Sequence, residues 1–376
     1  MLKGIHLTLM IGPIVPVPVP RTVLDALDSV KVITTAGEGT SGFELSFTLS
    51  NRSPLHTLFL LSGGAGIPVV RVIIVATVNG MPQVLMDGMM THHQVTPGSE
   101  AGQSTLTVKG QDLTALMDYL PLDGVPYPAM PPAARVLAML AQYTAFGIAP
   151  MVIPSVLEEI PLPVDWIPRH KGTHLAYIQE LALQAGYVFY IDPGPVPGAN
   201  TAYWGPEIKV GAPQPALNIN MDAHTNVESL SFSFDKEAKE IPVVFIQNQA
   251  TKVPMLIPLP NINPLSPPLG LVPPLLPKIT LLFDTAKLSP LQAALRGIAY
   301  AAQHADVVSG TGSLNVLRYG RVLKARQLVG VRGAGAAFDG LYYVKSVTHN
   351  IKRGEYTQDF TLSRNGLLST LPKVPA

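Results

Sequence analysis

The sequence contains no cysteine, which excludes disulfides, thiolate metal sites and cysteine nucleophiles and leaves the fold to be held by packing. Charge is scarce too. Asp, Glu, Lys and Arg make up 14% of the residues, where soluble domains carry about 25%, while 47% are hydrophobic. Such a surface implies cover by other subunits, because obligate interfaces are apolar and depleted in charge. The formal net charge is only +1, which removes a global electrostatic drive toward sequence-specific nucleic acid or an anionic membrane. Aromatic residues total 7%, few for the exposed binding loops of a β-rich adhesin.

Long uncharged helical runs are also missing. Gly4 to Pro20 is uncharged and follows Lys3, but Pro13, Pro16, Pro18 and Pro20 would break the helical core of a signal peptide, so extended chain and no signal peptide are expected. Pro254 to Pro277 is long enough to span a bilayer, yet its prolines cannot satisfy their own backbone hydrogen bonds there. Arg71 interrupts the apolar run Val69 to Val78. No membrane insertion is expected.

What the chain has in quantity is proline and glycine, 37 and 32 of 376 residues, which marks a loop-rich but globular protein. Its length suits two or three domains. Residues 1–120 read as strands: Phe43, Leu45, Phe47 and Leu49 alternate with polar residues, and Val70 to Val78 turns at Asn79-Gly80 into a returning strand. Asp112 is placed to cap a short helix containing Leu113, Leu116 and Met117. Residues 121–204 read as an α+β insert. One helix begins at Pro131-Pro132 and ends at Gly147; another runs from the N-cap Thr173 to Gly186 and leads into a strand at Tyr187 to Ile191. Strands return over 205–376, with Leu230, Phe232 and Phe234 on one face, a helix opening at Ser289-Pro290, and a final hairpin turning at Lys352-Arg353-Gly354. The fold class is therefore mainly β, with two β regions flanking a small α+β insert.

Motifs for chemistry are weak. His92-His93 point to opposite faces of a strand and cannot chelate one metal. Ser309-Gly310-Thr311-Gly312 and Gly333-Ala334-Gly335 lack the Lys-Ser/Thr of a phosphate loop and read as turns. Glu158-Glu159 are adjacent in a loop rather than facing across a bond. No catalytic residue, cofactor or metal site is expected. The most basic stretch holds Arg318, Arg321, Lys324, Arg326 and Arg332. Extended, it would line a channel or groove with positive charge, or form a sheet face neutralised by a partner's acids. Within the proline tract at 254–277, Leu256, Ile257, Leu259, Leu265, Leu269, Leu271, Val272, Leu275 and Leu276 are too apolar to stay solvated. The tract is expected to be an extended arm packed on another subunit, the alternative being that it folds back on its own chain.

Phe338 to His349 followed by Gly354 to Gly366 resembles the C-terminal hairpin of the phage late control protein D family. These are baseplate hub proteins of contractile tails, related to the N-terminal part of VgrG. Leu106 to Leu113 is similar to that family's strand-to-helix step, and Thr173 to Asp192 to its helix, Ala-Gly-Tyr, strand segment. The resemblance implies two tube-type β-barrel domains per chain and a homotrimer whose six barrels adapt a hexameric inner tube to a trimeric spike. The proline tract departs from the pattern. The sequence stops at Ala376 without a spike domain, so the spike is expected to be a separate protein beside other baseplate partners. Such a particle would assemble in the cytoplasm, as a phage tail or an extracellular contractile injection system. A tail-associated cell-wall hydrolase and a β-rich adhesin are the alternatives.

Overall fold

The computed structural model describes residues 4–37, 39–49, 55, 69–98, 104–155, 160–164, 166–247, 254–258, 265–282 and 290–371. Strands account for 46% and helices for 19% of the described residues, so the protein is mainly β. The first β region comprises β1 (Ile5–Gly12), β2 (Val17–Pro18), α1 (Arg21–Asp25), β3 (Leu27–Thr35), β4 (Gly42–Leu49), β5 (Arg71–Val78), β6 (Met81–Pro97) and β7 (Ser104–Asp112). The insert follows with α2 (Pro132–Leu140), β8 (Ile148–Val152), α3 (His174–Ala185), β9 (Val188–Pro193) and β10 (Asn200–Gly205). The second β region opens with β11 (Gln214–Asn218), β12 (Ser229–Phe234), β13 (Glu240–Gln247), β14 (Pro254–Pro258), β15 (Gly270–Val272) and β16 (Lys278–Leu282). It closes with α4 (Pro290–Gln303), β17 (Val308–Asn315), α5 (Val316–Tyr319), β18 (Leu328–Arg332), β19 (Gly340–Lys352), β20 (Glu355–Arg364) and β21 (Leu367–Ser369).

The alternation in β4 is realised as an inward row: Phe43, Leu45, Phe47 and Leu49 are all buried. Asn79 and Gly80 both take positive φ, as a type I′ turn demands, and join β5 to β6. The Asp112 carboxylate accepts from the Thr114 amide at 3.1 Å at the head of a short 3₁₀ turn. Thr173 caps α3 through its hydroxyl, and Gly186 ends it with φ +68°. Ser289 lies outside the described residues.

The two β regions form one 13-stranded sheet, ordered β12-β17-β20-β19-β3-β4-β7-β6-β5-β1-β2, with β18 and β11 branching from β19. The join is an antiparallel ladder between β3 and β19, from Ser346 opposite Thr35 to Lys352 opposite Ser29. One core runs beneath it, with Leu9, Val32 and Phe47 from the first region packed in the same cluster as Tyr342, Val347 and Phe360 from the second. The insert keeps its own core, built from Val136, Met139, Ile178, Leu181, Phe189 and Trp204 around the sheet β8-β10-β9. Ser309 to Gly312 is not a turn. It lies within β17, where a Cβ on Gly310 would stand 2.8 Å from the Phe232 ring, so the glycines make room for an aromatic neighbour. Gly333 to Gly335 is a turn, closed by the Ala334 amide donating to Asp339 Oδ1 at 2.8 Å.

Candidate functional site

The basic stretch is not one extended face. Asn315 caps α5 by accepting from the Leu317 and Arg318 amides, Gly320 ends that helix with φ +83°, and only Leu328 to Arg332 is strand. Arg318, Arg321 and Lys324 are exposed, and Arg332 is half-buried. None of these four has an acidic partner within ion-pair distance among the described residues. Arg321 and Lys324 flank a groove of about 340 Å³ beside the β5–β6 turn, with Val78, Met81 and Gln214.

Arg326 does something else. It is buried, its guanidinium lies 3.9 Å from the Tyr190 ring centroid, and it donates to Asp192 Oδ1 at 2.8 Å and to the Thr35 carbonyl at 2.8 Å. It therefore clamps β9 of the insert to β3. Several N–H donors spread over one plane with a ring stacked beneath it is a geometry only Arg supplies.

Two further polar clusters follow, one tying the insert to the sheet and the other internal to the second β region. Arg71 of β5 pairs bidentately with Asp87 of β6 at 2.7 Å and 2.7 Å, and Asn200 of β10 donates to Asp87 Oδ2 at 2.8 Å. Lys209 bridges Asp306 and Glu207 at 2.8 Å and 3.2 Å, while Lys345 of β19 pairs with Glu207 at 2.7 Å. Burial alone would push Lys209 down and Asp306 up. Each instead shifts toward its charged form, Lys209 raised by Asp306 and Glu207, and Asp306 lowered by Lys209 and Lys345. These clusters join residues more than 90 positions apart, and only Arg71, a lone charge in an apolar run, signalled one of them.

The proline tract is anchored to its own chain at both ends. Leu256 and Ile257 sit in β14, at the edge of the sheet β14-β13-β16, where a missing proline N–H is tolerated. Leu259 lies outside the described residues. The Leu265 carbonyl accepts from the Lys209 amide at 2.7 Å. Leu269 is buried against Ala36, Leu328 and Tyr343, and the Leu269 and Gly270 amides both donate to Asn365 Oδ1. β15 then pairs with β21. Beyond it the chain turns outward, leaving Leu275 94% and Leu276 88% exposed, with Leu271, Val272, Ile279 and Leu281 exposed nearby.

Perturbed acids do not converge on a pocket. Glu240 accepts from Thr280 Oγ1 and Tyr300 Oη at 2.5 Å each, which holds its carboxyl down at about 2. Its stabilising effect is complete above the ordinary carboxylate pKa of 4.5 and is lost as pH falls toward 2. Glu240→Gln should flatten that part of the stability profile and speed amide exchange in α4, which packs on β13; an unchanged profile would refute the role. Among the described residues no three His, Asp or Glu could hold a metal, and no helix is long and apolar enough to cross a membrane. Glu158 and Glu159 lie outside the described residues, and His92 and His93 stand on β6.

This architecture has counterparts among solved structures. A tail protein from Neisseria meningitidis MC58 superposes with a TM-score of 0.62 at 13% identity, covering 97% of this chain and 98% of that one. The chain has the fold of phage tail proteins. The 43 kDa tail protein of prophage MuSo2 from Shewanella oneidensis matches equally, with a TM-score of 0.62, 11% identity and coverage of 96% and 99%. A chain of the Francisella PdpA-VgrG complex gives 0.63 at 9% identity, covering all of this chain but 55% of that one. No protein-family model and no curated protein matches the sequence.

Proposed function

We propose that this chain is the structural hub of a contractile injection machine's baseplate, in a phage tail or a phage-derived extracellular particle. Three copies place six β regions in a ring, adapting a hexameric inner tube on one side to a trimeric spike, a separate protein, on the other. The observation that carries the reading is the tail-protein fold over nearly the whole chain, in which two β regions share one sheet. A charge-poor composition and the outward apolar row at Leu271 to Leu281 support it, because such surfaces are covered in assemblies. The role is architectural rather than enzymatic, and other baseplate proteins dock around the ring.

Light scattering on the eluting protein, alone and co-expressed with the products of its neighbouring genes, should give a mass near three chains. Leu275→Asp with Leu276→Asp should return it to one chain while changing the unfolding free energy by less than about 0.5 kcal/mol, as exposed sites do. A monomer under every condition would overturn the reading. Release of soluble fragments from peptidoglycan by the purified protein would favour the hydrolase instead.

A further inference from the structure

A groove of about 370 Å³ lies where the insert meets α4, within the range of ligand pockets. Arg135 of α2, Trp166, Gln184 of α3, Trp204 of β10, and Leu295 and Arg296 of α4 line it. The two helices are held close by Gly186: a Cβ there would stand 2.6 Å from Ala299 Cα. The Gln303 side chain also donates to the Leu183 carbonyl at 3.2 Å. Among the described residues the lining carries two arginines and no Asp or Glu.

Arg135 is the informative residue. It is 6% exposed; its Nη1 donates to Tyr177 Oη at 2.6 Å, and its guanidinium carbon lies 5.9 Å from the Tyr177 ring centroid. Buried Nε has no hydrogen-bond partner, and Nη2 makes none. Nε is sealed from solvent, so Nη2 is the edge of the guanidinium left to an acceptor in the groove. Arginine cannot shed its charge, so a buried guanidinium with an open donor gains most from an acceptor that is itself charged, such as a carboxylate. The Trp166 indole, half exposed at the rim, and the Leu295 side chain supply apolar surface beside that edge.

We propose that this groove receives an acidic side chain from an extended segment of a partner protein, its carboxylate seated on Nη2 of Arg135 and its flanking apolar residues on Trp166 and Leu295. The inference does not depend on the hub reading. Its test is direct, because the chain has two tryptophans and both line the groove; all tryptophan emission reports on this site. The full chain is titrated with a capped octapeptide of alternating Glu and Leu, with its Gln-for-Glu counterpart, and with sodium propionate. The Glu peptide should change the emission saturably, with at least tenfold tighter binding than either control. Arg135→Met keeps the side-chain volume and removes the unpaired charge, so it should abolish the response while leaving the thermal midpoint unchanged or higher. No response to the Glu peptide, or equal binding of the Gln peptide, would overturn the site. Equal binding of propionate would show a small-carboxylate pocket and overturn the partner segment. A lowered midpoint in Arg135→Met would show that the guanidinium serves the fold.

Discussion

Arg71→Leu is expected to lower the unfolding free energy by about 3–5 kcal/mol, the cost of leaving a buried carboxylate without its counter-charge. Both partners are inaccessible, Arg71 at 4% and Asp87 at 0% side-chain exposure. The guanidinium also donates to the Ile14 carbonyl at 2.9 Å and to the Gly198 carbonyl at 3.4 Å, so its loss orphans acceptors from two other segments. Removing both charges, in Arg71→Leu with Asp87→Leu, should recover much of the loss, since an apolar pair of similar volume often replaces a buried ion pair without penalty. Urea unfolding of the two single variants and the double variant measures this. A loss under about 1 kcal/mol in Arg71→Leu would show that water or Asn200 alone satisfies the carboxylate.

The second large effect is a dependence on acid. His349 is buried in β19, between Tyr356 Oη at 2.8 Å and Gln358 Nε2 at 3.3 Å from its Nδ1, and burial pushes its pKa down from 6.5 to about 3. The folded protein therefore holds it neutral while the unfolded chain takes up a proton below 6.5. Stability attributable to this group is complete above pH 6.5 and falls by about 1.4 kcal/mol per unit below it, approaching about 3 kcal/mol by pH 4. His349→Gln should remove that slope. Because His349 lies opposite Val32 on the ladder between β3 and β19, amide exchange in acid should rise first there. Parallel pH profiles for the variant and the native protein would refute the assignment.

How much of this was legible in the sequence follows from which forces act locally. The β4 alternation, the Asn79-Gly80 turn, the Asp112 and Thr173 caps and Gly186 each depend on residues within a few positions, and each appears where the pattern places it. The ladder between β3 and β19 depends on pairing across 300 residues, and nothing in either strand announces its partner. The same holds for the cluster around Lys209, whose members come from three segments. The five basic residues looked alike in one dimension. Asn315 and Gly320 break the stretch, and the turn with Arg326 at φ +67° sends one of them inward while three stay in solvent. The arginine that defines the groove, Arg135, sits on the buried stripe of α2 and carried no sequence signal except being a charge among apolar neighbours.

The ladder between β3 and β19 also sets an order of events. Thr35 and its partner Ser346 are 311 positions apart, and a ribosome adding 5–20 residues per second needs about 15–60 s to deliver the second after the first. Throughout that interval β3 has one hydrogen-bonding edge without its native partner, an open template for pairing with the wrong strand. The first β region therefore cannot complete its sheet while it is being made.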